Sequence, residues 1–188
     1  MNILVTGGGG FLGKSIIDQL VAKKYKVTNF SRSRYEELEK KGIYCIQGDI
    51  KNPNDVLKAT EGQDAIIHVA SKVGMWGKWD DFYQTNVVGT ENTAEDTDLV
   101  IEAVFEDFGI KTSVFSTLDE VCGEGTILAS NTSSLSVNAL AEATGRPDRF
   151  VGLHFFYHPA KNRLIEVIPA ETTSKDTLER TVQYCRTL

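Results

Sequence analysis

Apolar runs and stretches of helical period alternate along the whole chain. Ile3–Thr6 is a short apolar run that ends in glycines, and Lys14–Lys24 then carries Ile16, Ile17, Leu20 and Val21 at helical spacing. The same reading predicts strands at Lys26–Phe30, Ile43–Gln47, Ala65–Ala70, Leu99–Val104, Ile127–Ser130, Val151–Phe156 and Leu164–Ile168. It predicts helices at Tyr35–Lys41, Asn54–Thr60, Asp80–Thr93, Lys111–Cys122, Val137–Thr144 and Ser174–Leu188. Strand–helix alternation of this kind is the pattern of a parallel sheet covered on both faces. Ala65–Ala70 is nearly continuous in apolar residues, as expected of a strand buried on both sides. The expected fold class is α/β: one three-layer α/β/α domain on a doubly wound parallel sheet of about seven or eight strands. Its order should include a 3-2-1-4 core with the glycines at the switch point. At about 150 residues per domain, 188 residues suit that single domain.

Composition narrows the partners. Twenty Lys+Arg against 26 Asp+Glu give a net charge of −6, which disfavours nucleic acid. No apolar run reaches the ~20 residues of a membrane span, and Met1–Thr6 lacks the basic start of a signal peptide. Cys45, Cys122 and Cys185 are odd in number and far apart, so neither a metal site nor a disulfide framework is expected. A soluble cytoplasmic monomer is the expectation. The charge is uneven: residues 1–93 carry 12 Lys+Arg and 11 Asp+Glu, whereas residues 94–188 carry 8 and 15.

The strongest motif is Thr6-Gly7-Gly8-Gly9-Gly10-Phe11-Leu12-Gly13, between a strand and a helix. Backbone N–H groups at a helix N-terminus form an anion site, and glycines let a pyrophosphate approach. Together with Gly48-Asp49-Ile50, His68-Val69-Ala70-Ser71 and Asn86-Val87-Val88-Gly89-Thr90-Glu91-Asn92, this motif makes residues 1–93 resemble the extended short-chain dehydrogenases, near the epimerase, dehydratase and hydroxysteroid dehydrogenase branches. The resemblance implies a Rossmann-like fold and an NAD(P) site. Its contacts would be Gly7, Gly10, Phe11, Leu12 and Gly13 at the phosphates, Asp49 and Ile50 at the adenine, and Val69, Ala70 and Ser71 along the cofactor. The second predicted strand ends in Asn29-Phe30-Ser31-Arg32-Ser33-Arg34 without the acid usual for NAD. Ser31 and Arg32 suit a 2′-phosphate, so NADP is expected over NAD.

A short-chain dehydrogenase should continue to a catalytic Tyr-x-x-x-Lys pair. Tyr157 and Lys161 have that spacing, but Pro159 between them opposes a shared helical face. Trp76 and Trp79 are expected to cap the sheet. Residues 95–188 instead resemble the NAD-binding domain of 3-hydroxyacyl-CoA dehydrogenases, through Asp98–Glu106, Ile127–Leu135, Val151–Phe156 and Leu164–Ile168. That resemblance implies His154 as general base, Glu166 orienting it, and Ser133 and Asn131 at substrate or nicotinamide. It also implies cofactor contacts from Glu106 and Lys111. Histidine beside a carboxylate suits proton removal from a secondary alcohol near neutral pH.

Two family resemblances meeting near Asn92–Asp96 imply an engineered chimera. The expected function is a Rossmann scaffold with a residual NAD(P) site and little or no catalysis, the dyad being ancestral. The alternatives are an NAD(P)-dependent 3-hydroxyacyl-CoA dehydrogenase and a scaffold that binds nothing.

Overall fold

The computed structural model describes residues 1–72, 78–95, 97–156 and 164–186. Trp76, and the Tyr157–Lys161 spacing with Pro159, lie outside them. The chain divides into two compact units, Met1–Thr93 and Ala94–Leu188.

The first unit runs β1 (Asn2–Thr6), α1 (Phe11–Ala22), β2 (Lys26–Ser31), α2 (Glu36–Lys40), β3 (Tyr44–Gln47), α3 (Pro53–Thr60) and β4 (Ala65–His68). It closes with α4 (Trp79–Tyr83), a π-helical turn at Gln84–Val88, and α5 (Gly89–Ala94), whose last residue begins the second unit. All strand pairs are parallel in the order β3-β2-β1-β4, with Leu4 opposite Thr28 and Ile66. This is the expected 3-2-1-4 core. Apolar residues on alternate sides of β1 feed two clusters, Ile3 and Val5 with Ile17 and Leu38, and Leu4 with Phe30, Ile50 and Val56. β4 departs from expectation: all four of its residues are only half-buried. It ends the strand order, so one flank lacks a neighbouring strand from its own sheet.

The second unit contains β5 (Leu99–Glu102), α6 (Phe108–Val121), β6 (Ile127–Ser130), α7 (Val137–Glu142), β7 (Phe150–Phe155), β8 (Ile165–Pro169) and α8 (Lys175–Cys185). The order is β5-β6-β7-β8, parallel except for the antiparallel β7–β8 pair. Phe115 packs edge-on against Phe150 with centroids 4.8 Å apart. Side chains cap α6, α7 and α8, Asp107, Ser136 and Ser174 each accepting from a first-turn N–H.

Among the described residues eight strands form, within the expected seven or eight, in two sheets of four rather than one continuous sheet. β4 takes the place beside β1, and β5 heads a separate strand order. The residues expected to form one helix over Asp80–Thr93 are divided by the π-helical turn.

Candidate functional site

β1 delivers the chain to Gly7, whose φ of +70° lies in the left-handed region open to glycine. A Cβ there would sit 2.8 Å from the Ala70 Cα, so the same residue must also be small for the loop to lie against the end of β4. The Gly10 N–H donates to the Gly7 carbonyl at 3.0 Å, closing the turn, and Gly10 begins α1 without a capping side chain. The orphan N–H groups of that helix end are therefore left for an anion. Gly13 is a packing position: a Cβ would fall 2.4 Å from the Gly7 oxygen.

Gly7, Gly10, Ser31, Arg32, Ile50, Val69, Ala70 and Ser71 line a cleft of about 230 Å³, joined by Phe30, Ser33, Tyr35, Gly48 and Thr85. Its volume lies below the ~300–1,000 Å³ of pockets that enclose a whole ligand, and suits one nucleoside end of a dinucleotide. The Phe11 and Leu12 side chains are exposed and line no part of it. Asp49 is outside the lining too, because its carboxylate turns onto Lys51, accepting from the backbone N–H at 3.1 Å and facing the ammonium at 3.7 Å. Trp79 is 80 % exposed at the start of α4 and also lies outside it.

At the end of β2 the polar groups are already partnered. The Ser31 hydroxyl donates to the Ser33 carbonyl at 3.0 Å and accepts from Asn29 Nδ2 at 2.9 Å. The Arg34 guanidinium grips Glu39 through Nε and a terminal nitrogen at 2.8–3.0 Å, which raises the arginine pKa and lowers that of the acid. Arg32 remains on the cleft lining. Asn29, Thr6 and His68 stand behind that lining and were not legible as site residues in the sequence. Burial pushes the His68 ring down to about 4.

In the second unit His154 and Glu166 are cross-strand partners on β7 and β8. Opposed residues of an antiparallel pair project to one face, and the His154 Nδ1 lies 2.9 Å from Glu166 Oε2. The carboxylate accepts a hydrogen bond from Nδ1–H, which puts the lone pair of the neutral ring on Nε2. The Phe156 ring sits 4.6 Å from the imidazole.

Asn131 and Ser133 are held rather than displayed. Asn131 Oδ1 accepts from the Phe155 N–H at 2.9 Å, beside His154, and its own N–H donates to the Glu102 carbonyl at 2.8 Å. The Ser133 N–H donates to Glu106 at 2.9 Å while the residue stays exposed. Glu106 also accepts from the Thr132 hydroxyl and the Ser134 N–H, and meets Lys111 Nζ at 3.2 Å. Burial opposes its ionisation, but these donors and the ammonium outweigh that and hold its carboxyl at about 2.

Lys111 differs from its expected role. Its side chain is 1 % exposed, its ammonium 2.8 and 3.1 Å from the Glu102 oxygens and 3.3 Å from the Val104 carbonyl. Ser130 Oγ donates to Glu102 at 2.8 Å. A buried ammonium needs carboxylates around it, so Lys111 braces the loops after β5 and β6 instead of reaching outward for a cofactor. Glu102, closing an apolar strand nine residues before a lysine, was the available sequence signal. Among the described residues no group of three or more His, Cys, Asp or Glu is placed to hold a metal ion, and all three cysteines are free. No helix among them is long and apolar enough to cross a membrane.

Comparison with known proteins adds ancestry to this geometry. The chain is 48 % identical over 92 residues to the 2-alkyl-3-oxoalkanoate reductase of Stenotrophomonas maltophilia, covering 49 % of this chain and 28 % of that protein. It is 47 % identical over 94 residues to the 3-hydroxybutyryl-CoA dehydrogenase of Clostridioides difficile, covering 50 % and 34 %. The chain thus spans about a third or less of these curated relatives. The crystal structure of FadB2 from M. tuberculosis superposes with a TM-score of 0.55 at 27 % identity, covering 98 % of this chain and 59 % of that one. The family model described as 3-hydroxyacyl-CoA dehydrogenase, NAD binding domain, matches residues 2–188, and the chain belongs to that family.

Proposed function

We propose that the chain is a nicotinamide-dinucleotide-binding oxidoreductase module of the 3-hydroxyacyl-CoA dehydrogenase type, acting on a secondary hydroxyl. The observation that carries this reading is the His154–Glu166 pair, with Nδ1 committed to the carboxylate at 2.9 Å. The glycine cradle fits the cofactor: Gly7 and Gly13 stand where a Cβ would meet the loop, and the α1 N-terminus has no capping side chain. Gly7, Gly10, Ile50, Val69, Ala70 and Ser71 would hold its adenosine end. Bound NAD⁺ supplies the hydride acceptor for alcohol oxidation.

The residues of the chain do the rest. His154 Nε2 takes the hydroxyl proton as the carbon–oxygen double bond forms, and Glu166 stabilises the resulting imidazolium. Ser133 would hydrogen-bond the substrate oxygen, on a loop from which Glu106 accepts four hydrogen bonds. Arg32 favours NADP over NAD. It is the cationic side chain on the cleft lining, and no acid lies on that lining.

A second reading concerns ancestry. The unit boundary at Thr93/Ala94 and two differently named relatives, each matching about half the chain, support a chimera of two Rossmann-type pieces. One assay separates the readings. The purified chain is given acetoacetyl-CoA with NADH or NADPH, and dinucleotide binding is titrated in parallel. Turnover that disappears in His154→Ala supports the dehydrogenase. Binding without turnover at high protein concentration removes it and leaves a chimera that kept its cofactor cleft.

A further inference from the structure

The imidazole of His68 is half-buried at the end of β4, behind the cleft, and the chemistry above does not use it. Both its nitrogens face threonine hydroxyls: Nδ1 is 2.9 Å from Thr6 Oγ1, and Nε2 is 3.2 Å from Thr90 Oγ1. The proton positions follow by counting donors. Thr90 Oγ1 lies 2.7 Å from the Asn86 carbonyl and gives its one proton there, so it can only accept from the ring. Nε2 therefore carries the proton. Nδ1 is then a lone pair, and Thr6 donates to it.

Thr6 Oγ1 in turn accepts from the backbone N–H groups of Val69 and Ala70, both at 3.2 Å. Asn86 closes the circuit from the other side. Its Oδ1 accepts from the Lys72 N–H at 2.7 Å and its Nδ2 donates to the Lys72 carbonyl at 3.0 Å. The segment from Val69 to Lys72, which contributes three residues to the cleft lining, is thus held at each end by side chains. His68 links the two holds. Thr85, in the same π-helical turn as Asn86, lines the cleft as well.

We propose that His68 is a positioning residue of the dinucleotide cleft: a neutral ring with its proton on Nε2 that, through Thr6, Thr90 and Asn86, fixes the wall Val69–Lys72 against which the cofactor lies. The role rests on the cofactor reading above, and it concerns affinity rather than chemistry. A doubly protonated ring would put a second donor against Thr6 Oγ1, whose lone pairs already serve two backbone N–H groups.

The test uses the full chain, with NADH and NADPH as probes. Nitrogen-15 spectra of the histidine rings should show His68 with Nε2 protonated and Nδ1 bare. His68→Phe keeps a ring and removes both hydrogen bonds; it should weaken dinucleotide binding about tenfold or more, in line with losing buried hydrogen bonds. His68→Asn retains an acceptor for Thr6 and should recover part of that loss. Leu38→Ala, buried in the same unit and not itself on the lining, is the control for destabilisation. It should lower the melting temperature while changing affinity little. Unchanged affinity in His68→Phe, an equal loss in Leu38→Ala, or a protonated Nδ1 would each overturn the proposal. Should the parent chain bind neither dinucleotide, the cofactor reading fails separately. Hydrogen exchange at the Val69, Ala70 and Lys72 amides then decides whether His68 holds the wall, which requires faster exchange in His68→Phe.

Discussion

The two units build their sites by opposite means. In the first, the cleft is framed by backbone and neutral groups: glycines against carbonyls, Thr6 and Asn86 on main-chain N–H groups, and a ring held uncharged between two hydroxyls. In the second, the frame is ionic, with Lys111 buried among Glu102, Glu106 and a carbonyl. Under the proposed function the first frame has a physical reason: a cradle for phosphates would keep its N–H groups and helix end free of fixed anions, whereas the buried ammonium of the second needs carboxylates around it. Geometry therefore limits the first unit, and charge balance the second.

Breaking the ionic frame should have the largest effect. Lys111→Met leaves Glu102 buried without its ammonium and should cost about 3–5 kcal/mol in urea unfolding. Adding Glu102→Leu should restore much of that loss, because removing both charges also removes the desolvation penalty. An additive loss would mean that the pair is not the source of the cost.

Acid should act on both frames, in separate windows. The His68 pKa is about 4 in the folded chain against an ordinary value of 6.5, so the unfolded state binds more protons between those values. Stability from this group is whole above about pH 6.5 and falls by about 3 kcal/mol as pH drops through 4. The Glu106 pKa of about 2 against 4.5 places its loss lower, as pH falls from 4.5 through 2. Unfolding measured from pH 8 down to about 2 should show the upper window vanish in His68→Asn and the lower one persist.

Gly13→Ala tests the geometric frame. The added methyl meets the Gly7 oxygen at 2.4 Å, so a stability loss of about 1–3 kcal/mol and a larger loss of NADH affinity are expected. Calorimetric titration beside thermal melting separates the two. The smallest effect belongs to Arg32→Ala. It should narrow the ratio of NADPH to NADH affinity by about tenfold or less and leave the fold unchanged. A ratio unaltered by that substitution would assign Arg32 to solvent.

Much of the local structure was legible along the chain. Ile127–Ser130 is a strand as expected, and the glycine loop stands between β1 and α1 because only glycine serves at Gly7 and Gly13. Other assignments missed because a residue's type does not say where its donors go. Ser31 looks available for a 2′-phosphate, yet its hydroxyl is engaged by Ser33 and Asn29. Asp49 turns onto its neighbour Lys51. Lys111, which the resemblance implies as a cofactor contact, is enclosed by acids.

The sequence by itself determined the α/β class, the 3-2-1-4 core, the phosphate loop and the pairing of His154 with Glu166. Each rests on local periodicity, glycine spacing or resemblance carried within a short segment. Only the tertiary structure decided that eight strands divide into two sheets of four, that Lys111 and Glu102 neutralise each other, and that His68 is a neutral link behind the cleft. These depend on partners far apart along the chain, such as Thr6 with His68 or Glu102 with Ser130, and a buried polar group takes its chemistry from such partners.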